Sequence, residues 1–470
     1  MNEITFESSL PATPAEVFAY HAAPGAFGRL LPPWDRVYPA APHPGLVNGT
    51  TVEVDVKRGP FTLRARFEHS DVDPGSGFVD RQVKGPFGSW EHRHEFIPGP
   101  TGSTLRDRIR YSPPLSFVGE ALAGPMMRRE LVRLFAFRHA RTRADLERIA
   151  WWKAAGAGIA TVAVSGASGT IGAPLLDVLT TAGVRVRRMV RAPRTAGPAE
   201  VMWRSPEGGD PGAIDTAALE GVDAVVHLAG EPIATDRWTP NKKDRIRGSR
   251  VDGTKLIARA LAGMARPPKV LVVASGISYY GERGEQEVTE EVGVGSGFRA
   301  EVARDWEAAT EPARQAGIRV VQLRFGAVLS SRGGVLAMIN PLFSLGLGGV
   351  PGAGSQWVSW VALDDTLGAI LHTLADTTLS GPVNVTSPLP VRMDEFASRL
   401  AAAHGRSPFA RIPVFAVRAV FSDRADVLLE SCRVLPMKLR KAGFQFRQTD
   451  LTTALRWELG RIEINAITIR

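Results

Sequence analysis

Three glycines at a fixed spacing are the first residues in this chain whose arrangement could do chemistry. The stretch VAVSGASGTIGAPLL places Gly166, Gly169 and Gly172 three apart. An apolar run that reads as a strand precedes them, and one that reads as a helix follows. In that context a glycine pattern has physical content. A tight turn brings backbone N–H groups and a helix N-terminus up to a pyrophosphate, the missing side chains permit close approach, and the helix dipole favours the anion. Gly166, Ala167, Ser168, Gly169, Thr170, Ile171 and Gly172 are therefore the expected phosphate-binding turn, with Ser168 and Thr170 able to add hydroxyl donors. A strand-to-helix turn without ligand is the plainer alternative.

The following strand ends RRMVRAPR. A site for NAD places an acid there to bind the ribose 2′-hydroxyl. Val190 occupies that position and Arg191 follows it. Val190 cannot accept the bond, whereas an arginine suits a 2′-phosphate through charge-assisted paired contacts. The reading is NADP(H), with Arg194 as a second candidate and a solvated strand-end arginine as the competing interpretation of Arg191. In DAVVHLAGEPI, Leu228, Ala229 and Gly230 would let the chain pass close to the cofactor, and His227 is expected to hold a structural hydrogen bond.

Other reactive residue types give weaker signals. His92 and His94 lie two apart and would face one side of a strand. No third ligand is evident, so hydrogen-bonded or surface strand histidines are expected and no metal centre. The single cysteine, Cys432, rules out an internal disulfide and a cysteine-based zinc site.

These residues sit in a chain of 470, enough for two or three domains. The formal charge of +9 raises the question of nucleic acid. The basic residues are mostly arginine and mostly scattered. The exception, 128–148, interleaves arginines with Leu131, Leu134, Phe135 and Phe137 at helical spacing. It reads as one amphipathic helix with a solvated arginine face rather than a nucleic-acid surface. No apolar run approaches the ~18–20 residues that span a bilayer. MNEITFESSL lacks the apolar core of a signal peptide, so a cytoplasmic protein is expected.

Residues 1–150 read as a helix TPAEVFAYH, with Thr13 as N-cap and Pro14 at its first position, then alternating strands, then a long helix over 125–150. WWKAAGAG, 151–158, reads as a linker. From 159 to 385, solid apolar strands alternate with helices, the pattern of a doubly wound parallel sheet. From 386 to 470 the pattern is mixed: RMDEFASRLAAAHG reads as a helix with Met393, Phe396 and Leu400 on one face, and RKAGFQFRQTDLTTALRWEL as a short strand and a terminal helix. Asp364 and Asp365 are expected to cap the helix they precede.

Two resemblances follow. LPATPAEVFAYHAAPGAFGRLLPPW and VDRQVKGPFGSWEHRHEF are similar to the START-like, helix-grip (SRPBCC, polyketide-cyclase-like) superfamily. That implies an α+β domain holding an apolar ligand. LAGEPIATDRWTPNKKDRIRGSRVDGTKLI, LRFGAVLSSRGGVLAMINPLFSLGLGG and GAGSQWVSWVALDD resemble an atypical branch of the extended short-chain dehydrogenase/reductases, the NAD(P)-dependent epimerase/dehydratase family. RVLPMKLRKAGFQFRQTDLTTALR resembles the C-terminal extension of that branch. The implied architecture is an α/β Rossmann-type doubly wound parallel sheet with a C-terminal α+β subdomain, preceded by the α+β helix-grip domain.

The second resemblance implies a serine after a central strand and a Tyr-x-x-x-Lys on the next helix, the lysine lowering the phenol pKa. Ser275 matches the serine. In FRAEVARDWEAA, Arg299 and Ala303 fall where Tyr and Lys are expected, and neither residue type occurs in that segment. Tyr279 and Tyr280 lie just beyond Ser275, and Tyr280 is the candidate proton donor, with Arg250 or Lys243 as a cation. No arginine lies between Gly352 and Asp365 to hold a substrate phosphate, while Trp357 and Trp360 suggest an apolar ligand. The expected function is an NADP(H)-dependent oxidoreductase or epimerase-like protein acting on a small, fairly apolar carbonyl or hydroxyl compound. The alternative is an NADP(H)-binding sensor or scaffold without turnover.

Overall fold

The structure is a computed structural model describing residues 2–35, 37–40, 45–58, 61–113, 116–191, 199–233, 236–462 and 467–470. The chain divides into two compact units. One comprises Met1–Ala154, Asp177–Gly183 and Leu459–Arg470, the other Ala155–Leu176 and Val184–Glu458.

The first unit contains β1 (Asn2–Leu10), α1 (Pro14–Ala22), α2 (Ala26–Leu30), β2 (Val37–Pro39), β3 (Thr51–Arg58), β4 (Phe61–Asp73), β5 (Gly77–Lys84), β6 (Ser89–Gly99), β7 (Gly102–Ser112) and α3 (Ser116–Ala155). Thr13 caps α1 through a reciprocal box with Glu16, and Pro14 opens the helix where a missing N–H costs nothing. The strands form one antiparallel sheet in the order β2-β3-β4-β5-β6-β7-β1, and the two-residue strand Thr468–Ile469 pairs on the free side of β1. Alternation buries Leu105, Asp107, Ile109 and Tyr111 of β7 on one face. Helix α3 packs on that face, where Phe135 stacks on Phe6 with ring centroids 4.9 Å apart.

Several sequence expectations change here. Arg141 and Arg148 of α3 are buried, so its arginine face is not wholly solvated. Asp145 is the reason, since it takes Arg29 at 2.7 and 2.8 Å and lies 3.3 Å from Arg148. Helix α3 also continues to Ala155 and buries Trp152, so most of the expected 151–158 linker is helix. The chain leaves it through Gly156, at φ +57°. His92 and His94 are buried on the inner sheet face, not on the surface.

The second unit has β8 (Thr161–Ser165), the first half of α4 (Gly172–Thr181, whose residues from Asp177 group with the first unit), β9 (Arg185–Val190), β10 (Glu200–Arg204), β11 (Ala213–Ile214), β12 (Ala224–His227), α5 (Pro240–Ala262), β13 (Val270–Gly276), α6 (Phe298–Ala308), β14 (Arg319–Phe325), α7 (Leu363–Ala375) and β15 (Gly381–Val385). The strand order is β11-β10-β9-β8-β12-β13-β14-β15, parallel except for the β10–β11 pair. The order reverses between β8 and β12, and a sheet of this kind binds ligands beyond the carboxyl ends of its strands at such a reversal.

The helix Met393–Ala403 buries Met393, Phe396 and Leu400 as the sequence predicts. The expected strand near GFQF is absent. Instead, the Asp365 carboxylate accepts from the backbone amides of Arg447 and Gln448 at 2.8 and 3.0 Å. Asp365 therefore anchors that segment, and α7 has no side-chain cap. The final residues, from Leu459, belong to the first unit rather than to the C-terminal subdomain. Among the described residues no helix is long and apolar enough to cross a membrane.

Candidate functional site

The glycine turn leaves β8, and Leu228–Gly230 leave β12, on the two sides of the reversal. Gly166 has φ +68°, and a Cβ there would stand 2.7 Å from the Leu228 carbonyl carbon. A Cβ on Gly172 would stand 2.0 Å from the Gly166 oxygen. Both glycines are required by close backbone approach. Gly169 differs, because a Cβ there would meet only the Gly166 oxygen, at 3.2 Å. Ser165 locks the two turns: its Oγ accepts from the amides of Leu228 and Ala229 at 3.2 and 3.3 Å and lies 2.6 Å from His227 Nδ1. Having accepted twice, the hydroxyl is left to donate to His227, which holds the structural bond expected of it. Burial, then the nearby Arg250 charge, lowers the His227 pKa to about 3.

A cleft of about 520 Å³ opens at this point, and Gly166, Gly169, Thr170, Ile171, Gly172, Leu228, Gly230 and Ser275 all line it. Ala167, Ser168, Ala229 and Arg191 are not among its lining residues. Arg191 is exposed just past the end of β9, and Arg194 lies outside the described residues. Phe298, Trp306, Met338 and Trp357 form apolar parts of the wall. Trp360 is instead fully buried, its indole donating to the Leu389 carbonyl at 3.0 Å.

Ser275, the penultimate residue of β13, donates to Glu307 of α6 at 2.8 Å. Both Glu307 oxygens accept from Arg324, each at 2.8 Å. Burial works against the Arg324 charge, but Glu307 outweighs it and raises the Arg324 pKa. Arg324 then donates to the Tyr280 hydroxyl at 2.8 Å, and that hydroxyl donates to Asn384 Oδ1 at 2.7 Å. Tyr280 is 0% exposed and is not among the cleft-lining residues. Burial, partly offset by Arg324, pushes its pKa up to about 12. The geometry thus joins Ser275 to Tyr280 through two intervening side chains and withholds Tyr280 from any ligand in the cleft. Tyr279 lies under the Arg324 guanidinium, 3.5 Å from ring centroid to carbon.

The two candidate cations part ways. Arg250 lines the cleft, donates to the Glu231 carbonyl at 3.0 Å and sits over Trp306. Burial lowers its pKa to about 10 against the pull of Glu231. Lys243 pairs with Asp423 at 2.8 Å outside the main cleft.

Sequence similarity agrees with this architecture. The family profile described as NAD dependent epimerase/dehydratase family matches residues 162–385, that described as polyketide cyclase / dehydrase and lipid transport matches 10–137, and a domain of unknown function (DUF1731) matches 412–458. The epimerase family protein Mb2239 of Mycobacterium bovis is 43% identical over 300 residues, 63% of this chain and 96% of that protein. The chain belongs to the NAD-dependent epimerase/dehydratase family. A solved structure described as a nucleoside-diphosphate sugar epimerase, from Corynebacterium glutamicum, matches this epimerase-family chain with TM-score 0.80 and 30% identity, over 98% of this chain and 91% of that one. Human epimerase family protein SDR39U1, solved with NADPH, matches with TM-score 0.57 and 31% identity, over 64% of this chain and 100% of that one.

In this family member, Arg299 and Ala303 both line the cleft from α6. Arg299 pairs with Glu430 at 2.8 Å. Glu430 also lines the cleft, and burial, against the pull of Arg299, raises its pKa. Sequence reading missed Glu430, which lies 131 positions from Arg299 and carries no local motif. It also missed Arg324, although a single charge inside the apolar run VVQLRFG is a visible signal. Cys432 lines the cleft too, but burial pushes its thiol up to about 12, which makes it a poor nucleophile.

Proposed function

We propose that the chain is an NADP(H)-dependent oxidoreductase acting on a small, fairly apolar carbonyl or hydroxyl compound. The observation that carries this is one cleft lined together by the glycine turn, by Ser275 and by an apolar wall. NADPH in the human relative supports the choice of cofactor. So do Val190 and Arg191 at the end of β9, where an NAD site would have an acid. At Gly169 a Cβ would press on the Gly166 oxygen alone, at 3.2 Å, and the absence of a side chain there fits a pyrophosphate beside the turn.

The bound nicotinamide would supply or accept the hydride. The amides of Thr170, Ile171 and Gly172, which line the cleft at the start of α4, would hold the pyrophosphate. Ser275, its proton committed to Glu307, presents lone pairs that accept from a substrate hydroxyl; toward a carbonyl it turns that proton outward. Glu430 carries the proton exchange in place of Tyr280. In the reductive direction the substrate carbon gains the hydride, its oxygen gains the Glu430 proton, and water reprotonates the carboxylate. Its raised pKa suits a group that must hold a proton nearer neutrality. Arg299, the cleft cation nearest Glu430, is already paired with it, and 353–364 hold no arginine, which favours an apolar substrate over a sugar diphosphate. The helix-grip unit would bind a related apolar compound.

The second reading is an NADP(H)-binding sensor, favoured by Arg299 and Ala303 standing at the Tyr and Lys positions. Titration of NADPH and NADH by tryptophan quenching, then NADPH oxidation against a carbonyl panel, separates the two. Turnover that falls in Ser275→Ala and Glu430→Gln supports the enzyme. Tight binding without turnover across the panel moves the conclusion to the sensor.

A further inference from the structure

The inner sheet face of the first unit carries a polar cluster that the cleft chemistry does not use. His92 and His94, two apart on β6, share that face, with ring centroids 3.8 Å apart. Strand register sets a carboxylate beside each. Asp80 of β5 is directly opposite His92, and Asp107 of β7 is directly opposite His94. His92 and Asp107 are 2% exposed and His94 is 8% exposed. The His94 ring bridges the carboxylates, with Nε2 3.4 Å from Asp80 Oδ2 and Nδ1 2.8 Å from Asp107 Oδ1. His92 Nε2 lies 3.1 Å from the same Asp107 oxygen. Despite this crowding, His92 Nε2, His94 Nδ1 and Asp107 Oδ1 make no hydrogen bond of acceptable geometry. Buried polar atoms left in that state call for a ligand or an ion.

Among the described residues, Asp80, His92 and His94 can each turn one donor atom to a common point, those atoms lying within 4.8 Å of one another. We propose that they bind a divalent transition-metal ion of the zinc or ferrous class. Two imidazoles and a carboxylate suit such ions, whereas magnesium and calcium prefer all-oxygen sets. Groups behind the ligands orient them. His69 Nδ1 lies 2.6 Å from Asp80 Oδ1. His139 Nε2 lies 2.9 Å from Asp107 Oδ2, with Ser8 Oγ 2.7 Å from its other nitrogen. A carboxylate behind a ligating histidine is the usual means of fixing its ring. Ligands around a tetrahedral ion stand roughly 3.4 Å apart at bond lengths of about 2.1 Å, so loading draws the three side chains together by roughly 1 Å. Three protein ligands leave one position for water or for an oxygen of a small molecule.

The test uses tag-free full chain, stripped of metal and titrated calorimetrically with Zn²⁺ and, without oxygen, Fe²⁺; Co²⁺ serves as a spectroscopic probe. One equivalent per chain is expected. Affinity should drop at least tenfold in Asp80→Asn and at least 100-fold in the double variant His92→Ala, His94→Ala, with Mg²⁺ failing to compete. Circular dichroism and a thermal transition report whether each variant folds, and His92→Gln replaces the double variant where that one does not. Absence of stoichiometric binding in the wild type overturns the proposal. So does binding undiminished in the histidine variants, or equal competition by Mg²⁺.

Discussion

Glu307 accepts the Ser275 hydroxyl proton at 2.8 Å while both of its oxygens are held by Arg324. One carboxylate therefore orients the cleft serine and neutralises a guanidinium whose side chain is only 3% exposed. Glu307→Ala should cost about 3–5 kcal/mol, because it strands that buried charge. Glu307→Gln should cost less, since it keeps an acceptor for Ser275. Urea unfolding of the two variants measures both. An alanine variant as stable as wild type would show that the pair does not support the cleft floor.

Tyr280→Phe removes a hydroxyl that bonds to both Arg324 and Asn384. A stability loss of about 1–3 kcal/mol is expected, with turnover of the folded fraction within about threefold of wild type. Glu430→Gln should instead lower turnover by roughly 100-fold or more, the usual contribution of a positioned acid or base. Steady-state rates on folded protein discriminate. Abolished turnover in Tyr280→Phe would restore the tyrosine as proton donor.

Two glycines of the same turn should fail differently. At Gly169 a Cβ meets only the Gly166 oxygen, at 3.2 Å, a contact that a shift of a few tenths of an ångström relieves, so Gly169→Asp should fold and lose NADPH affinity by roughly two orders of magnitude through repulsion of the pyrophosphate. At Gly166 both φ and the Leu228 backbone exclude a Cβ, so Gly166→Ala should lower the thermal transition itself. Undiminished NADPH binding in Gly169→Asp would remove the turn from the cofactor site.

Arg191→Ala should weaken NADPH by roughly 10- to 100-fold, the worth of a charge-assisted contact, and change NADH by no more than about twofold. Parallel quenching titrations decide it. Equal losses for the two cofactors would end the 2′-phosphate argument.

His227 gives the fold an acid sensitivity. Burial, then Arg250, sets its folded pKa at about 3, against about 6.5 when unfolded. Below pH 6.5 the unfolded chain takes up a proton that the folded chain refuses. The stability this neutral ring contributes is therefore present above pH 6.5 and is lost as pH falls toward 3, at up to about 1.4 kcal/mol per unit. Between pH 7 and 5 the unfolding free energy should fall less steeply in His227→Gln than in wild type. Other buried histidines, such as His21, act equally on both proteins, so the difference isolates His227. Equal slopes would mean that folding does not lower the pKa of this histidine.

The sequence revealed what is encoded locally. The glycine turn is legible because glycine recurs at one spacing where Gly166 and Gly172 must leave room for backbone, and α1 because Thr13, Pro14 and Glu16 are its cap. The β6 and β7 strands are legible from alternation alone. Long-range side-chain partners are not. Nothing near Tyr280 announces that its hydroxyl meets Asn384, 104 positions later. Nothing near His92 announces that register sets Asp80 across from it. Apolar periodicity also cannot tell a solvated arginine face from one that closes on Asp145, because both repeat every helical turn.

Strand Thr468–Ile469 lies along β1 through Phe6↔Ile469 and Glu7↔Thr468, and Thr5 and Arg470 exchange both backbone bonds at 2.9 and 3.0 Å. On a ribosome, β1 emerges with its β7 partner about a hundred residues behind it and its other partner more than four hundred behind. That flank stays open, a template for adventitious pairing, while the intervening α/β unit is translated. A chain cut after Glu458 would retain the cleft beside the glycine turn yet carry the same unprotected flank permanently. Its failure would show as association between molecules rather than as a lost cleft.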